Sequence, residues 1–185
     1  MASLAGKFRA RSSPMSLPMI RTERMLLRPW MREDVDALHA LWTAPEMRRY
    51  LWDDVVISRE TAEQAVESHL ATVDKNRIGY WALHIPPPIS SAPAPIVGFC
   101  GFRHIEDGPD IELMYGLEAE FWGKGLATEA CFAVLDYLWR STSYQCVYAR
   151  TDPPNRRSVG VMLRLGMTQE STTEAMMKYV LRRPA

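Results

Sequence analysis

Features that would assign the chain to several large classes of protein are scarce or missing from its 185 residues. No apolar run reaches the roughly 18 residues that a membrane-spanning helix needs, and the N-terminus lacks the apolar core of a secretory signal peptide. Lys and Arg together number 22, as do Asp and Glu, so the chain has no overall basic charge to hold it on nucleic acid. These absences predict a cytoplasmic protein without a membrane or nucleic-acid partner.

Cysteine is also scarce, and its spacing does not suggest a metal site or a cross-link. Cys100, Cys131 and Cys146 stand alone in apolar stretches, without CxxC spacing. The histidines show no ligand spacing either. We therefore expect a reducing compartment, no disulfide framework and no bound metal.

The first 18 residues differ in composition from the rest of the chain. The segment MASLAGKFRARSSPMSLP contains basic residues, serines and prolines but no acidic residue. We interpret residues 1–18 as a flexible tail. The remainder, residues 19–185, has the length of one ordinary domain with a single core.

Hydrophobic periodicity predicts an α/β (α+β) fold with a mixed, mostly antiparallel central sheet of about seven strands flanked by about four helices. The predicted strands lie at 24–30, 79–85, 96–105, 110–117, 146–151, 167–172 and 174–181. The predicted helices lie at 32–42, 58–73, 127–140 and 155–165. The proline-rich segment 86–96 is predicted to be a surface loop.

The segment EFWGKGLATEA places Gly123 and Gly125 directly before a predicted helix. A strand, then glycines, then a helix N-terminus can present free backbone N–H groups to an anion, and the helix dipole favours negative charge there. Two nucleotide-binding motifs do not fit. The chain has no GxxxxGK[ST] string, and GxGxxG would require a glycine in place of Thr128.

A third pattern fits this segment. Residues 122–127, WGKGLA, resemble the Q/R-x-x-G-x-G/A acyl-CoA pyrophosphate loop of the GNAT N-acetyltransferase superfamily, with Trp122 in the place of Gln or Arg. WGKGxATEA is similar to the RimJ/RimL-like branch, which acetylates the N-termini of ribosomal proteins. IRTERMLLRPWMREDVDAL, VGFCGFRHI and TDPPNRRSVGVMLRLGM resemble that branch's opening strand and helix, its third strand and its second CoA motif. The resemblance implies a GNAT fold and acetyl-CoA as cosubstrate.

The resemblance also implies which residues bind acetyl-CoA. They are Leu117, Trp122, Gly123, Lys124, Gly125, Leu126, Ala127, Thr128 and Asn155. The strand around Leu117 is expected to part from its neighbour and offer backbone groups to pantetheine, one N–H polarising the thioester carbonyl. Asn155 is expected to cap the following helix as well.

Two side chains are candidates for the chemistry. Ser158 is implied as the acid for the departing thiolate, because Met162 stands where many GNAT enzymes have a tyrosine and has no proton to give. Glu112 is a candidate general base, because an amine that arrives protonated must lose a proton before it attacks. His104, or water-mediated chemistry, is the alternative base.

The sequence says least about the acceptor substrate. The first two predicted helices and their surroundings carry eight carboxylates, namely Glu33, Asp34, Asp36, Asp53, Asp54, Glu60, Glu63 and Glu67. An acidic wall would favour a basic protein N-terminus that begins with Ala or Ser. Two alternatives remain: the acceptor is a small amine or antibiotic, or the protein is a non-catalytic acyl-CoA-binding module. The sequence also does not decide between a monomer and a homodimer.

Overall fold

The structure is a computed structural model that describes residues 17–86, 94–106 and 108–184. The strands are β1 (Ile20–Arg21), β2 (Leu26–Pro29), β3 (Tyr80–His84), β4 (Gly98–His104), β5 (Ile111–Leu117), β6 (Cys146–Thr151), β7 (Thr168–Thr172) and β8 (Met177–Arg182). The helices are α1 (Val35–Thr43), α2 (Pro45–Leu51), α3 (Arg59–Asn76), α4 (Leu126–Ser141) and α5 (Arg156–Arg164). Short 3-10 turns at Arg32–Asp34 and Ala119–Phe121 precede α1 and α4.

The strands form one sheet in the order β1-β2-β3-β4-β5-β6-β8-β7. Every neighbouring pair is antiparallel except β5 and β6. The predicted mixed, mostly antiparallel sheet is therefore confirmed. The described residues contain eight strands and five helices rather than about seven and four. The additional elements are β1, which spans two residues, and α2, which begins at Pro45 directly after α1; neither produces a periodic signal of its own.

The sheet separates two apolar clusters. On one face, Leu126, Ala130, Val134 and Leu138 of α4 repeat every four residues and lie in a cluster with residues of β4, β5 and β6. On the other face, the residues that pack against α1 and α3 include Trp30 and Phe99, whose rings lie 6.0 Å apart. Helices therefore cover both faces of the sheet, and each apolar cluster packs one face against its helices.

The neighbouring strands β5 and β6 part shortly after they meet. Their parallel pairing is limited to Glu112 opposite Tyr148. In contrast, β5 stays paired with β4 as far as Leu117, and β6 stays paired with β8 as far as Thr151. The predicted parting of the strand around Leu117 is thus confirmed, and it leaves a gap inside the sheet.

The helix missed by periodicity, α2, lies against the parted end of β5. A Cβ atom on Gly116 would lie 2.6 Å from the Sδ atom of Met47, closer than any side chain could stay. Glycine at this position therefore lets α2 approach the strand, which brings a further helix to the edge of the gap.

The predicted tail and loop lie mostly outside the described residues, namely residues 1–16 of the tail and 87–93 of the loop. Leu17 and Pro18, which we assigned to the tail, belong to the folded domain. Leu17 is buried in the core, and the Pro18 carbonyl accepts a hydrogen bond from Trp81 Nε1 at 2.8 Å. Within the described ranges, no helix has both the length and the apolar character required to cross a bilayer.

His69 of α3 ties that helix to the sheet. Its ring is 8% exposed, and its Nε2 accepts a hydrogen bond from the Tyr80 backbone N–H at 2.9 Å. Burial lowers the pKa of His69 to about 4. The side chain is therefore neutral in the folded protein at neutral pH, as its acceptor role requires.

We expect acid to destabilise the fold through His69. The unfolded chain binds a proton at this site near pH 6.5 and the folded chain only near pH 4, so stability is retained above pH 6.5 and lost as pH falls through this window. The loss should amount to about 3 kcal/mol. His69→Gln keeps an acceptor for the Tyr80 N–H. In urea titrations at several pH values, this variant should reduce the dependence of the free energy of unfolding on pH between about pH 4 and 6.5. His39→Gln is the matched control, and an unchanged slope in His69→Gln would contradict the assignment.

Candidate active site

A cavity of about 620 Å³ occupies the gap between the parted strands. Its walls come from residues 113–117 of β5, from the segment 121–128, from Arg150 and Thr151 at the end of β6, and from parts of α5 and α2. Ser158 lines it, as do all the predicted cofactor-binding residues except Lys124. The gap, the glycine segment and the start of α5 thus form one site.

The glycine segment has the backbone of an anion-binding turn. Gly123 and Gly125 have φ angles of 74° and 78°, which side chains other than glycine adopt only with strain. Gly125 is the N-cap of α4, and its carbonyl accepts the first helical hydrogen bond from the Glu129 N–H at 3.0 Å. The N–H groups that begin α4 have no partner within the helix. They belong to residues 126–128, which line the cavity.

A distant arginine braces this segment. Arg24, just before β2, donates from its Nη1 to the Lys124 carbonyl at 2.8 Å. Its Nε and its backbone N–H donate to the Glu129 carboxylate at 2.7 and 3.0 Å. The turn and the first turn of α4 are therefore held by one side chain, which no local sequence pattern reveals.

Two cations of α5 face the glycine segment. The Arg157 guanidinium lies 4.7 Å from the centre of the Trp122 ring, and Arg164 Nε donates to Thr128 Oγ1 at 3.3 Å. Trp122 is itself anchored, because its Nε1 donates to the Leu117 carbonyl at 2.7 Å. The position where the motif has Gln or Arg thus carries a tryptophan with a cation stacked on it.

Lys124 does not contribute a side chain to the cavity. It lies between the two positive-φ glycines, and its Nζ lies 5.5 Å from the centre of the Phe121 ring. Phe121 lines the cavity, whereas Lys124 itself does not. The assignment of Lys124 as a cofactor-binding residue stays a prediction.

The start of α5 carries the hydroxyl group predicted for the chemistry. The predicted helix cap is confirmed, since Asn155 Oδ1 accepts the Ser158 N–H at 3.2 Å. The Tyr115 oxygen lies 2.8 Å from Ser158 Oγ and 3.0 Å from the Ser158 carbonyl oxygen, so its single proton can be donated to either. Met162, one turn later, is buried in the same wall.

The free edge of β5 supplies backbone donors. Glu118 N–H donates to the Val97 carbonyl at 2.9 Å, so residue 118 faces β4. Directions alternate along a strand, which turns the N–H groups of Tyr115 and Leu117 toward the gap. The bond from Trp122 to the Leu117 carbonyl agrees with this direction.

The structure does not bring Glu112 to the cavity. Its side chain is 1% exposed, and its Oε1 and Oε2 accept hydrogen bonds from Arg150 Nε and Nη2 at 2.9 and 3.0 Å. Arg103 Nε donates to Oε2 as well, at 3.0 Å. Both carboxylate oxygens are thus engaged by arginines, which leaves Glu112 poorly placed to act as a base. His104, the alternative, is not a lining residue either.

The expected acidic acceptor wall is not formed. None of the eight carboxylates is among the residues that line the cavity. Several pair with arginines instead: Asp34 with Arg28, Asp36 and Glu63 with Arg59, Asp54 with Arg48, and Glu67 with Arg32. The cavity is lined instead by α2, through Glu46, Met47, Tyr50 and Leu51. Charge counting in the sequence located the carboxylates but not their partners.

The lining fits a ligand of the CoA type. Helix amides and the cations of α5 suit a pyrophosphate, and apolar side chains such as Met114 and Val161 suit a long uncharged arm. Across the described ranges, no group of three or more His, Cys, Asp or Glu side chains could hold a metal ion. The chemistry available here is therefore that of hydrogen-bond donors, hydroxyls and an anion-binding turn.

Comparison with known proteins agrees with this architecture. Residues 24–168 match the family model of the acetyltransferase (GNAT) domain. The chain is 29% identical over 154 residues to p20 of Bacillus licheniformis, named an uncharacterized N-acetyltransferase, with 80% of this chain and 82% of that protein covered.

Two solved structures share the fold. An acetyltransferase from Agrobacterium tumefaciens str. C58 superposes with a TM-score of 0.77 at 21% identity, covering 94% of this chain and 99% of that one. RimL, a ribosomal L7/L12 alpha-N-protein acetyltransferase in complex with coenzyme A, superposes with a TM-score of 0.74 at 18% identity, covering 89% and 98%. Since the family match spans most of the sheet and the whole glycine segment, the chain belongs to the GNAT acetyltransferase family and is an N-acetyltransferase that uses acetyl-CoA.

Proposed function

We propose that this protein transfers the acetyl group of acetyl-CoA directly to the α-amine of a protein or peptide that begins with Ala or Ser. The observation that carries the proposal is the single cavity that joins the glycine turn, the parted edge of β5 and the Ser158 hydroxyl. A donor held at the turn and an acceptor entering past α2 would meet at the gap between β5 and β6.

The donor is held by backbone and cations. The N–H groups at the start of α4 bind the pyrophosphate, and Arg157 and Arg164 add positive charge beside it. Asn155 and the edge of β5 contact the pantetheine arm. The N–H of Tyr115 or Leu117, which faces the gap, polarises the thioester carbonyl.

The transfer forms a bond between the amine nitrogen and the acetyl carbon, and it breaks the bond between that carbon and sulfur. The sulfur leaves as a thiolate, and Ser158 donates a hydrogen bond and a proton to it and regains a proton from the water that takes up the amine proton. The attacking amine must lose a proton, which passes to water in the cavity. Glu46, which lines the acceptor side, is the carboxylate that such water can meet.

The acceptor side supports a small first residue more than a basic one. Met47 and Leu51 of α2, with Met114 of β5, give an apolar wall, and Gly116 leaves no side chain there. The name of RimL describes an enzyme that acts on a protein N-terminus, and it has the same fold. Since the eight carboxylates do not line the cavity, we expect the KM for the peptide, measured at saturating acetyl-CoA, to depend little on salt.

Glu112 has a supporting role in this proposal. It holds the guanidinium of Arg150, which lines the cavity, and the pKa of Arg150 is raised chiefly by that hydrogen bond. Glu112 thereby fixes a cation at the point where β5 and β6 part. A positioning role fits its burial better than proton abstraction does.

Gly125→Val should weaken acetyl-CoA binding roughly tenfold or more, because amides at the start of α4 would lose charged hydrogen bonds to the pyrophosphate. Calorimetry with acetyl-CoA measures this. Gly166→Val is the matched control, since Gly166 has a φ of 82° and open space around it but does not line the cavity. If both folded variants bind as the wild type does, the assignment of the turn is wrong.

Glu112→Gln should lower kcat/KM by a similar factor at every pH and reduce the free energy of unfolding by about 1–3 kcal/mol, because charge-assisted hydrogen bonds to two partly exposed arginines are lost. The pH profile and urea unfolding measure the two effects. Glu63→Gln, which removes an exposed carboxylate paired with Arg59, is the control for loss of a charge. A loss confined to low pH, where the amine is protonated, would restore Glu112 as the general base.

The acceptor can be tested by thiol release from acetyl-CoA with a panel of amines. Peptides that begin with Ala or Ser should react fastest, with a KM for the peptide that changes little with salt at saturating acetyl-CoA, and the same peptides with a blocked N-terminus should not react. Faster turnover of a small neutral amine or an aminoglycoside would change the acceptor but keep the reaction. Acetyl-CoA binding without turnover of any amine would support a non-catalytic module instead.

A further inference from the structure

The Tyr115 side chain is directed from the sheet onto Ser158. Both residues line the cavity, although they are separated by 43 positions in the chain. The Tyr115 oxygen lies 2.8 Å from Ser158 Oγ and 3.0 Å from the Ser158 carbonyl oxygen. One phenol group therefore contacts both the side chain and the backbone of the residue that faces the donor.

We propose that Tyr115 is a positioning residue for acetyl transfer, which orients the Ser158 hydroxyl toward the leaving sulfur. This inference rests on the proposed function of the cavity. Tyr115 donates a hydrogen bond to Ser158 rather than to the substrate.

The proposed role depends on the directions of two protons, those of the Tyr115 and Ser158 hydroxyl groups. Each hydroxyl carries one proton and can accept hydrogen bonds through its oxygen. When Tyr115 donates to Ser158 Oγ, the serine proton is free to point into the cavity. When Tyr115 donates to the Ser158 carbonyl, the serine can donate to the Tyr115 oxygen instead, and its proton is then turned away from the leaving sulfur. The contact to Oγ is the shorter of the two that Tyr115 makes.

The surroundings of Tyr115 keep it a donor. Burial raises the pKa of Tyr115 far above its ordinary value, so the hydroxyl retains its proton throughout the range in which the enzyme can be assayed. A hydrogen bond received at Oγ also polarises the serine O–H and makes it a better donor. The serine backbone is held independently, because Asn155 accepts its N–H at 3.2 Å.

The position on β5 explains why this tyrosine reaches α5. Side chains alternate along a strand, so Tyr115 lies on the opposite face from Glu112 and Met114. Its register partner on β4 is Cys100, whose Sγ lies 3.7 Å from Cys131 Sγ of α4. The phenol ring is therefore confined between the sheet and the two helices that line the cavity.

A double-mutant cycle with Tyr115→Phe and Ser158→Ala tests the proposal. Tyr115→Phe removes only the hydroxyl, and kcat should fall roughly tenfold to a hundredfold while KM for acetyl-CoA changes less than about twofold. In the Ser158→Ala background, Tyr115→Phe should cause no further loss. Thiol release with the best amine of the panel measures each variant.

Tyr179→Phe is the matched control, because Tyr179 is a buried tyrosine outside the cavity whose hydroxyl donates to Gln169 Oε1 at 3.3 Å. Its kcat should equal that of the wild type. Urea unfolding of each variant separates loss of fold from loss of rate. A Tyr115→Phe loss that appears only in KM, or only in stability, would assign the residue to packing and overturn the proposal.

The remaining outcomes separate this inference from the proposed function. Normal turnover by Tyr115→Phe, or additive losses in the double variant, would overturn the inference and leave the acetyltransferase activity intact. Near-normal turnover by Ser158→Ala would overturn the role of both residues. Absence of thiol release by the wild type with every amine would overturn the proposed function and this inference together.

Discussion

A buried carboxylate holds three strands together at the point where the sheet begins to open. Glu112 of β5 binds Arg103 of β4 and Arg150 of β6, next to its own pairing position opposite Tyr148. Beyond this point β5 keeps only β4, and β6 keeps only β8. A charge cluster in this place resists further opening of the strands while it leaves the gap beyond it intact. Removal of the carboxylate alone would leave two guanidinium groups without a partner, which is the costly way to break a buried pair.

The gap leaves backbone groups that the sheet does not use. Amides of Tyr115 and Leu117 face it from β5, and the first amides of α4 face it from the glycine turn. Buried polar groups of the backbone require partners, and a ligand with a carbonyl, amides and phosphates can provide them. In the proposed mode of binding, the fold meets an acyl-CoA mainly through main-chain atoms. Side chains would contribute where charge or a proton is required, as proposed for Arg157, Arg164 and Ser158.

The sequence predicted those parts of the site that depend on nearby residues. The glycines of the turn and the cap at Asn155 each follow from a spacing of a few positions, and the parted strand followed from the family resemblance. Contacts across the sheet were not accessible in this way, since Arg24 braces a turn about a hundred residues later. Glu112 illustrates the same limit. Its residue type suited a base, but its carboxylate is occupied by Arg103 and Arg150, which lie 9 and 38 positions away on the neighbouring strands.

The positions of acidic residues in the sequence were not sufficient to predict the charge of the cavity wall. Eight carboxylates suggested a wall, yet Arg59 alone binds two of them, Asp36 and Glu63. Glu63 lies one helical turn from Arg59 on α3, but Asp36 lies on α1, where sequence proximity does not reveal the pairing. The helix that does reach the acceptor side, α2, is seven residues long and too short for a periodic signal. Its Met47 side chain fills the space that a side chain at position 116 would need.

The brace provided by Arg24 couples the beginning of the domain to its ligand. Arg24 fixes the Lys124 carbonyl and Glu129, so a turn that is ordered by Arg24 is ready to receive a pyrophosphate. Coupling of this kind is reciprocal, because a ligand that favours the ordered turn must favour the docked arginine by the same free energy. Acetyl-CoA would then protect the segment before β2 from local opening, although that segment does not line the cavity. The local stability of the edge strands and the occupancy of the site would therefore be thermodynamically coupled.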